Sequence, residues 1–243
     1  DRLLFEHQLT LANQFGYNDK NSNLAVEQFM QKYYRTAVSL QRINEITLQL
    51  FREEITKKTS NIKLNKINNR FQENNNYIEV TNPAIFIRQP SAMIEIFLLL
   101  QKNPKIKGIR ANTIRLIEAH RYLIGKSVRK SKVARKIFME ILRQPVGVYG
   151  TLRKMHRYGV LACYIPDFKK ISGLMQFDLF HLYTVDEHIL MVIRNLRRFT
   201  IKKFKNEHIL CHEKIQQIKN PEILYLAALF HDIAKGKGGD HSD

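Results

Sequence analysis

Apolar residues recur every three or four positions along most of the chain, the period of a helix that buries one face. From Asn23, a good N-cap, the row Phe29, Tyr33, Val38, Ile46 and Leu50, with Arg42 among them, predicts one long helix. Arg2 to Phe15 predicts a shorter one, stopped at Gly16. Ser91 is placed to cap a helix over Ala92 to Gln101, which Asn103-Pro104 ends, and Asn112 to cap Thr113 to Ile124, which Gly125 ends. Lys132 to Leu142 and Tyr149 to Tyr158 follow, divided by Pro145. Further on, Leu182, Val185, Ile189, Val192 and Leu196 keep helical spacing. Asn220-Pro221-Glu222 then opens a last helix through Ile223, Leu224, Ala227 and Ala228. Asn61 to Asn76 is rich in Asn and Lys and is expected to be irregular, but Tyr77-Ile78-Glu79-Val80 is β-like and Phe71-Gln72 can pair with it across the polar turn. The expected fold class is all-α with one small β-hairpin.

Composition agrees. Among 243 residues there are only 10 Gly and 6 Pro, few turn formers for a many-stranded fold, and no Trp. Apolar content is 44% and charged content 26%, the balance of a globular chain. Cys163 and Cys211 lack CxxC spacing and fit reduced thiols in a cytoplasmic protein. The longest apolar stretch, Ala92 to Leu100, is too short to span a bilayer and contains Glu95. No signal peptide is expected, and the chain, opening on Asp1, reads as a soluble segment from the interior of a longer one.

The net charge of +18 favours anionic partners. It concentrates at Lys126 to Lys136 and Arg194 to Lys205, which are expected to be solvated helix faces; no RNP or zinc-finger pattern accompanies them, so specific nucleic-acid binding is not expected. Glu53 and Glu54 are likewise expected on a solvated face, and His208 and His212, at i,i+4 spacing without the Glu of an HExxH motif, are not expected to hold a metal.

Candidate chemistry gathers near the C-terminus. Leu224, Ala228 and His231 fall on one stripe of the last helix, which is expected to project His231 towards the core with Asp232 a quarter-turn on. His188, three residues after Val185 and four before Val192, lies on or beside the core-facing stripe of its own helix. Imidazole and carboxylate donors from two facing helices suit a hard or borderline divalent cation. The run Lys235-Gly236-Lys237-Gly238-Gly239-Asp240 supplies positive charge and backbone N–H groups for a phosphate, and His241 is a further ligand or a proton donor.

At ALFHDIAKGKGGDH and YTVDEHILMV the sequence resembles the HD superfamily of metal-dependent phosphohydrolases. More closely it resembles the bifunctional uridylyltransferase/uridylyl-removing family of PII nitrogen signalling, through DRLLFEHQ, LAVEQFMQKYYRTA, EIFLLLQ, KGIRANTIRLI, FDLFHLYTVDEHIL and LFHDIAKGKGGDHS. The resemblance implies metal ligands at His188, His231, Asp232 and His241, and catalytic roles for Asp232, Lys235 and His241. It also implies a further aspartate beyond Asp243, so that this segment alone would hydrolyse little. Residues 1–145 would be the helical region that follows a nucleotidyltransferase core, with Lys32, Tyr33 and Arg35 as candidate nucleotide contacts, and residues 146–243 the start of the HD domain. The implied cofactors are Mg or Mn, and UTP for the transferase. The implied partners are PII, UMP or UTP, and glutamine through C-terminal ACT domains; no membrane partner is implied. Two alternatives stay open on the residues alone: a phosphohydrolase acting on a free nucleotide such as an alarmone or cyclic dinucleotide, and a basic helical binding module.

Overall fold

A computed structural model describes residues 3–20, 24–56, 64–175 and 183–237. In chain order the helices are α1 (Phe5–Gln14), α2 (Ala25–Thr56), α3 (Ile85–Arg88), α4 (Ala92–Lys102), α5 (Ala111–His120), α6 (Lys126–Lys130), α7 (Lys132–Arg143), α8 (Val148–Arg157), α9 (Val160–Tyr164), α10 (Pro166–Ile171), α11 (Val185–Phe199), α12 (Ile209–Gln216) and α13 (Pro221–Phe230). The strands are β1 (Leu64–Lys66), β2 (Phe71–Asn74), β3 (Tyr77–Val80) and β4 (Gly108–Ile109). The expected mostly helical architecture is therefore present. The Asn-rich stretch is not wholly irregular, because its backbone enters a four-stranded sheet of order β1-β2-β3-β4.

The chain divides into two compact units, Asp1–Ser39 with Pro166–Asp243, and Leu40–Ile165. The expected division at 145/146 falls between α7 and α8, inside the second unit.

In the second unit, β2 and β3 form the expected hairpin, closed by Asn75 and Asn76 at φ 49° and 65°. Asparagine tolerates this left-handed backbone, which gives a two-residue hairpin the right twist. β1 adds antiparallel to β2, and β4 adds parallel to β3 after the α4 crossover. Phe71 and Ile78 point from the sheet into a core shared with Phe86, Ile94, Phe97, Ile109 and Ile114, all essentially sealed from water. α4 is apolar on most of its surface, so its one acid needs a partner: Glu95 accepts two hydrogen bonds of 2.7 Å from the Arg70 guanidinium and one from Asn68. A second knot forms at Glu79, which accepts from Gln72, Asn74 and Arg110. Arg110 also reaches Glu53, so Glu53 is ion-paired and half-buried rather than solvated.

The first unit positions the candidate chemistry. Ala12, Ala25, Val26 and Met30 make one buried cluster, covered by Tyr17, Phe29 and Met175. α11 presents Val185, Ile189, Leu190 and Ile193 inwards, while α13 packs against it through Tyr225, Ala228 and Leu229. Asp186, buried in the first turn of α11, accepts the Gly173 N–H at 3.0 Å. Gly173 has φ +70° and lies so close to α2 that a Cβ would meet the Gln31 carbonyl at 3.1 Å.

Candidate metal centre

α13 ends one residue earlier than the expected stripe requires. His231 is the C-cap, and Asp232 sits in the turn that leads into a short 3₁₀ helix over Ile233–Lys237. The buried row on α13 runs Tyr225, Ala228 and Leu229, and its next member is Asp232. Asp232 is accordingly the more sheltered of the pair, 19% exposed against 38% for His231. The expectation that His231 points to the core is corrected to that extent. His188, in the first turn of α11, also stands beside the apolar row rather than on it and is 48% exposed.

These three side chains converge. One ligand atom from each of His188, His231 and Asp232 lies within 4.8 Å of the others. The hub is Asp232 Oδ2, 3.7 Å from His188 Nε2 and 3.5 Å from His231 Nε2, and the two rings are 5.5 Å apart at 55°. Such separations are too long for direct hydrogen bonds and leave room between the donors. His231 Nδ1 is 2.7 Å from the Ala228 carbonyl. A carbonyl only accepts, so Nδ1 carries a proton, and in the neutral ring Nε2 then keeps its lone pair on the side of the hub. No sequence pattern singled out that carbonyl, although a histidine at a helix C-cap is three residues from it.

Lys235 belongs to the same group. Its Nζ lies 3.0 Å from Asp232 Oδ2, and both side chains are largely shielded. The 3₁₀ helix that carries Lys235 packs on α10. Gly236 permits this, since a Cβ there would fall 2.7 Å from Lys170 Cβ and 3.0 Å from Ile171 Cγ2. The expectation that glycine lets backbone approach a phosphate is thus replaced at Gly236 by a packing role. Gly238, Gly239, Asp240 and His241 lie outside the described residues.

The candidate nucleotide contacts are not part of this cluster. Arg35 donates to the carbonyls of Ser172 and Lys169 at 2.8 and 3.0 Å, capping the C-terminal end of α10. Burial there lowers the Arg35 pKa, against the raising effect of Asp186. Tyr33 stacks edge-on against Tyr34, and Lys32 is exposed. Among the described residues, His208 and His212 join no group of three ligands; His212 Nδ1 is 2.6 Å from the Phe199 carbonyl.

Three family models match the chain: GlnD PII-uridylyltransferase at residues 1–48, Uridylyltransferase GlnD third domain at 71–164, and HD domain at 185–243. The last covers His188, His231 and Asp232. Among curated proteins, the chain is 54% identical over 242 residues to a bifunctional uridylyltransferase/uridylyl-removing enzyme of Nitrosococcus oceani, covering 100% of the chain and 27% of that protein. It is 52% identical to the protein of that name from Methylococcus capsulatus, covering 28% of it, and 44% identical to one from Pseudomonas aeruginosa, covering 27% of it. The chain thus spans about a quarter of the length of these relatives. No solved structure matches it.

Proposed function

The chain belongs to the family of bifunctional uridylyltransferase/uridylyl-removing enzymes, and from that premise we propose that His188, His231 and Asp232 form part of a metal-dependent site that hydrolyses UMP from uridylyl-tyrosine PII. The observation that carries this reading is the convergence of two imidazole nitrogens and one carboxylate oxygen within 4.8 Å, inside the region matched by the HD model.

The donor set fits a divalent cation. It offers neutral nitrogen and anionic oxygen, no thiolate, and an oxygen that already faces a positive charge on Lys235. Mg²⁺ or Mn²⁺ bound there would supply charge to a phosphoryl oxygen and acidify the attacking water. The Ala228 carbonyl holds His231 in the ligating tautomer. Lys235 lies against Asp232 in the free protein and offers its ammonium group to the substrate phosphate. Water attacks phosphorus, the bond from phosphorus to the tyrosyl oxygen breaks, and the tyrosine hydroxyl and UMP leave. His241 serves as a further ligand or as the acid that protonates the tyrosyl oxygen. The hydrolytic part is the region that the HD model matches, residues 185–243.

At the length of the relatives, the protein also transfers UMP from UTP to PII in a separate domain, responds to glutamine through ACT domains, and works in the cytoplasm. Among the described residues, no helix is long and apolar enough to cross a membrane. The test uses a polypeptide of that full length. His231→Ala and Asp232→Ala should abolish UMP release from uridylylated PII and leave uridylylation in place; undiminished release overturns the reading, and release only from a free nucleotide redirects the substrate.

A further inference from the structure

The part of α2 in the second unit is amphipathic in the inverse sense. Its inward face is mainly polar and tied down by hydrogen bonds. Arg42 is buried, pairs with Glu118 and donates to the Arg157 carbonyl. Glu45 accepts from Arg157 and Tyr158, and burial beside Glu45 holds the Tyr158 hydroxyl well above the usual phenol pKa. Gln49 donates to the Ile109 carbonyl, and Glu53 meets Arg110. Among these, Ile46 is the one buried apolar side chain. The outward face instead carries Leu40, Ile43, Leu48, Phe51 and Ile55, which are 61, 53, 45, 62 and 74% exposed.

A surface helix ordinarily buries its apolar row and shows its charges to water. Here Arg42, Glu45, Gln49 and Glu53 are already engaged within the unit, and five large apolar side chains are left over on one side. They present on the order of 500 Å² of apolar surface, shared with the exposed Asn44, Thr47 and Glu54 on the same side of the helix, at the upper end of what a monomer normally exposes.

We propose that this face of α2 is a self-association surface, on which a second copy of the chain packs its own α2 antiparallel about a two-fold axis between Thr47 and Leu48. Three observations select a second copy. The face can meet its own copy under that axis: positions 40, 44 and 47 mirror 55, 51 and 48, so Leu40 and Ile55 meet at both ends of the contact, while Phe51 lies against Asn44 and Leu48 against Thr47 at its centre. An isologous interface needs this property. Two such faces together hide roughly 1,000 Å², the lower bound for a specific interface and the size of a weak, dilution-sensitive one. The local charge also permits contact. A chain of net charge +18 repels its copies, yet no lysine occurs from Tyr33 to Thr56, and residues 40–56 hold two arginines against three glutamates.

Sedimentation of the 243-residue chain tests this, because the exposed positions can be changed without touching the unit's core. The chain should sediment at twice its 28.7 kDa mass at roughly 100 µM and dissociate on dilution. Phe51→Glu with Ile55→Glu should return it to a monomer with unchanged circular dichroism. In a Cys163→Ser, Cys211→Ser background, Leu48→Cys should be cross-linked by a short bismaleimide at least ten-fold faster than Ile87→Cys, which is exposed on α3. A wild-type monomer at that concentration, a dimer indifferent to the Phe51 and Ile55 changes, or equal cross-linking at the two cysteines overturns the proposal. A monomer whose apolar face is taken up by another protein or by further polypeptide is among the results that overturn it.

Discussion

Lys235 Nζ lies 3.0 Å from Asp232 Oδ2, the same oxygen on which His188 and His231 converge. Spaced three residues apart across the turn after α13, the two side chains bring an ammonium group to the centre of the donor cluster. Phosphate chemistry needs positive charge in that place, beyond what the ligands themselves provide.

Lys235→Met removes this charge with little change in volume. In the full-length protein, UMP release should fall about 100-fold while metal binding and fold persist, as expected for a group aimed at substrate charge. Single-turnover release, run beside a metal titration, checks this. Loss of metal binding together with activity would make Lys235 a support for the ligands instead.

Gly236→Ala acts on the same site from outside it. The added methyl meets Lys170 Cβ at 2.7 Å, too close for either backbone to stay in place. The turn that carries Lys235 should lift from α10, at a cost of about 1–3 kcal/mol. A urea midpoint gives the stability change, and Mn²⁺ affinity should weaken in parallel. An unchanged midpoint would mean that the close approach to α10 does not matter.

How much of this was legible follows from the range of the interactions. Helices with a caged apolar row, such as the one from Lys132, follow from local period alone. The Asn75-Asn76 turn is similarly local, so the β2–β3 hairpin was readable. The pairing of β3 with β4 is not local, since Gly108-Ile109 carries no strand signal of its own and joins only after α4 folds across. Arg110, the partner that Glu53 and Glu79 share, follows β4 and so depends on that pairing. At the candidate metal centre, residue types and the two facing helices were readable, because His-Asp after an apolar helix is a compact pattern. The tilt of the pair was not: α13 stops at Phe230, which rotates His231 outwards and gives Asp232 the sheltered position. Gly236 illustrates the same limit, since its close neighbour on α10 is distant in sequence.

The Glu79 knot makes a pH prediction for the second unit. Burial alone would raise the Glu79 pKa, but hydrogen bonds from Gln72, Arg110 and Asn74 and the charge of Arg110 outweigh it and hold the carboxyl below its ordinary value. A group depressed in the folded state stabilises it above the unfolded pKa and loses that contribution as pH falls through the folded one. Thermal midpoints should therefore drop on acidification below about pH 4.5, the ordinary carboxylate value. Glu79→Gln should cost about 2 kcal/mol at neutral pH and flatten that acid limb. Parallel acid limbs in the two proteins would assign the effect to other carboxylates.

The most direct measurement is a Mn²⁺ titration of this chain by electron paramagnetic resonance, with His188→Ala, His231→Ala and Asp232→Ala beside the wild type. One saturable ion per chain, weakened at least ten-fold by each substitution, is the predicted result. Binding that is indifferent to all three substitutions would contradict a shared divalent centre between α11 and the end of α13.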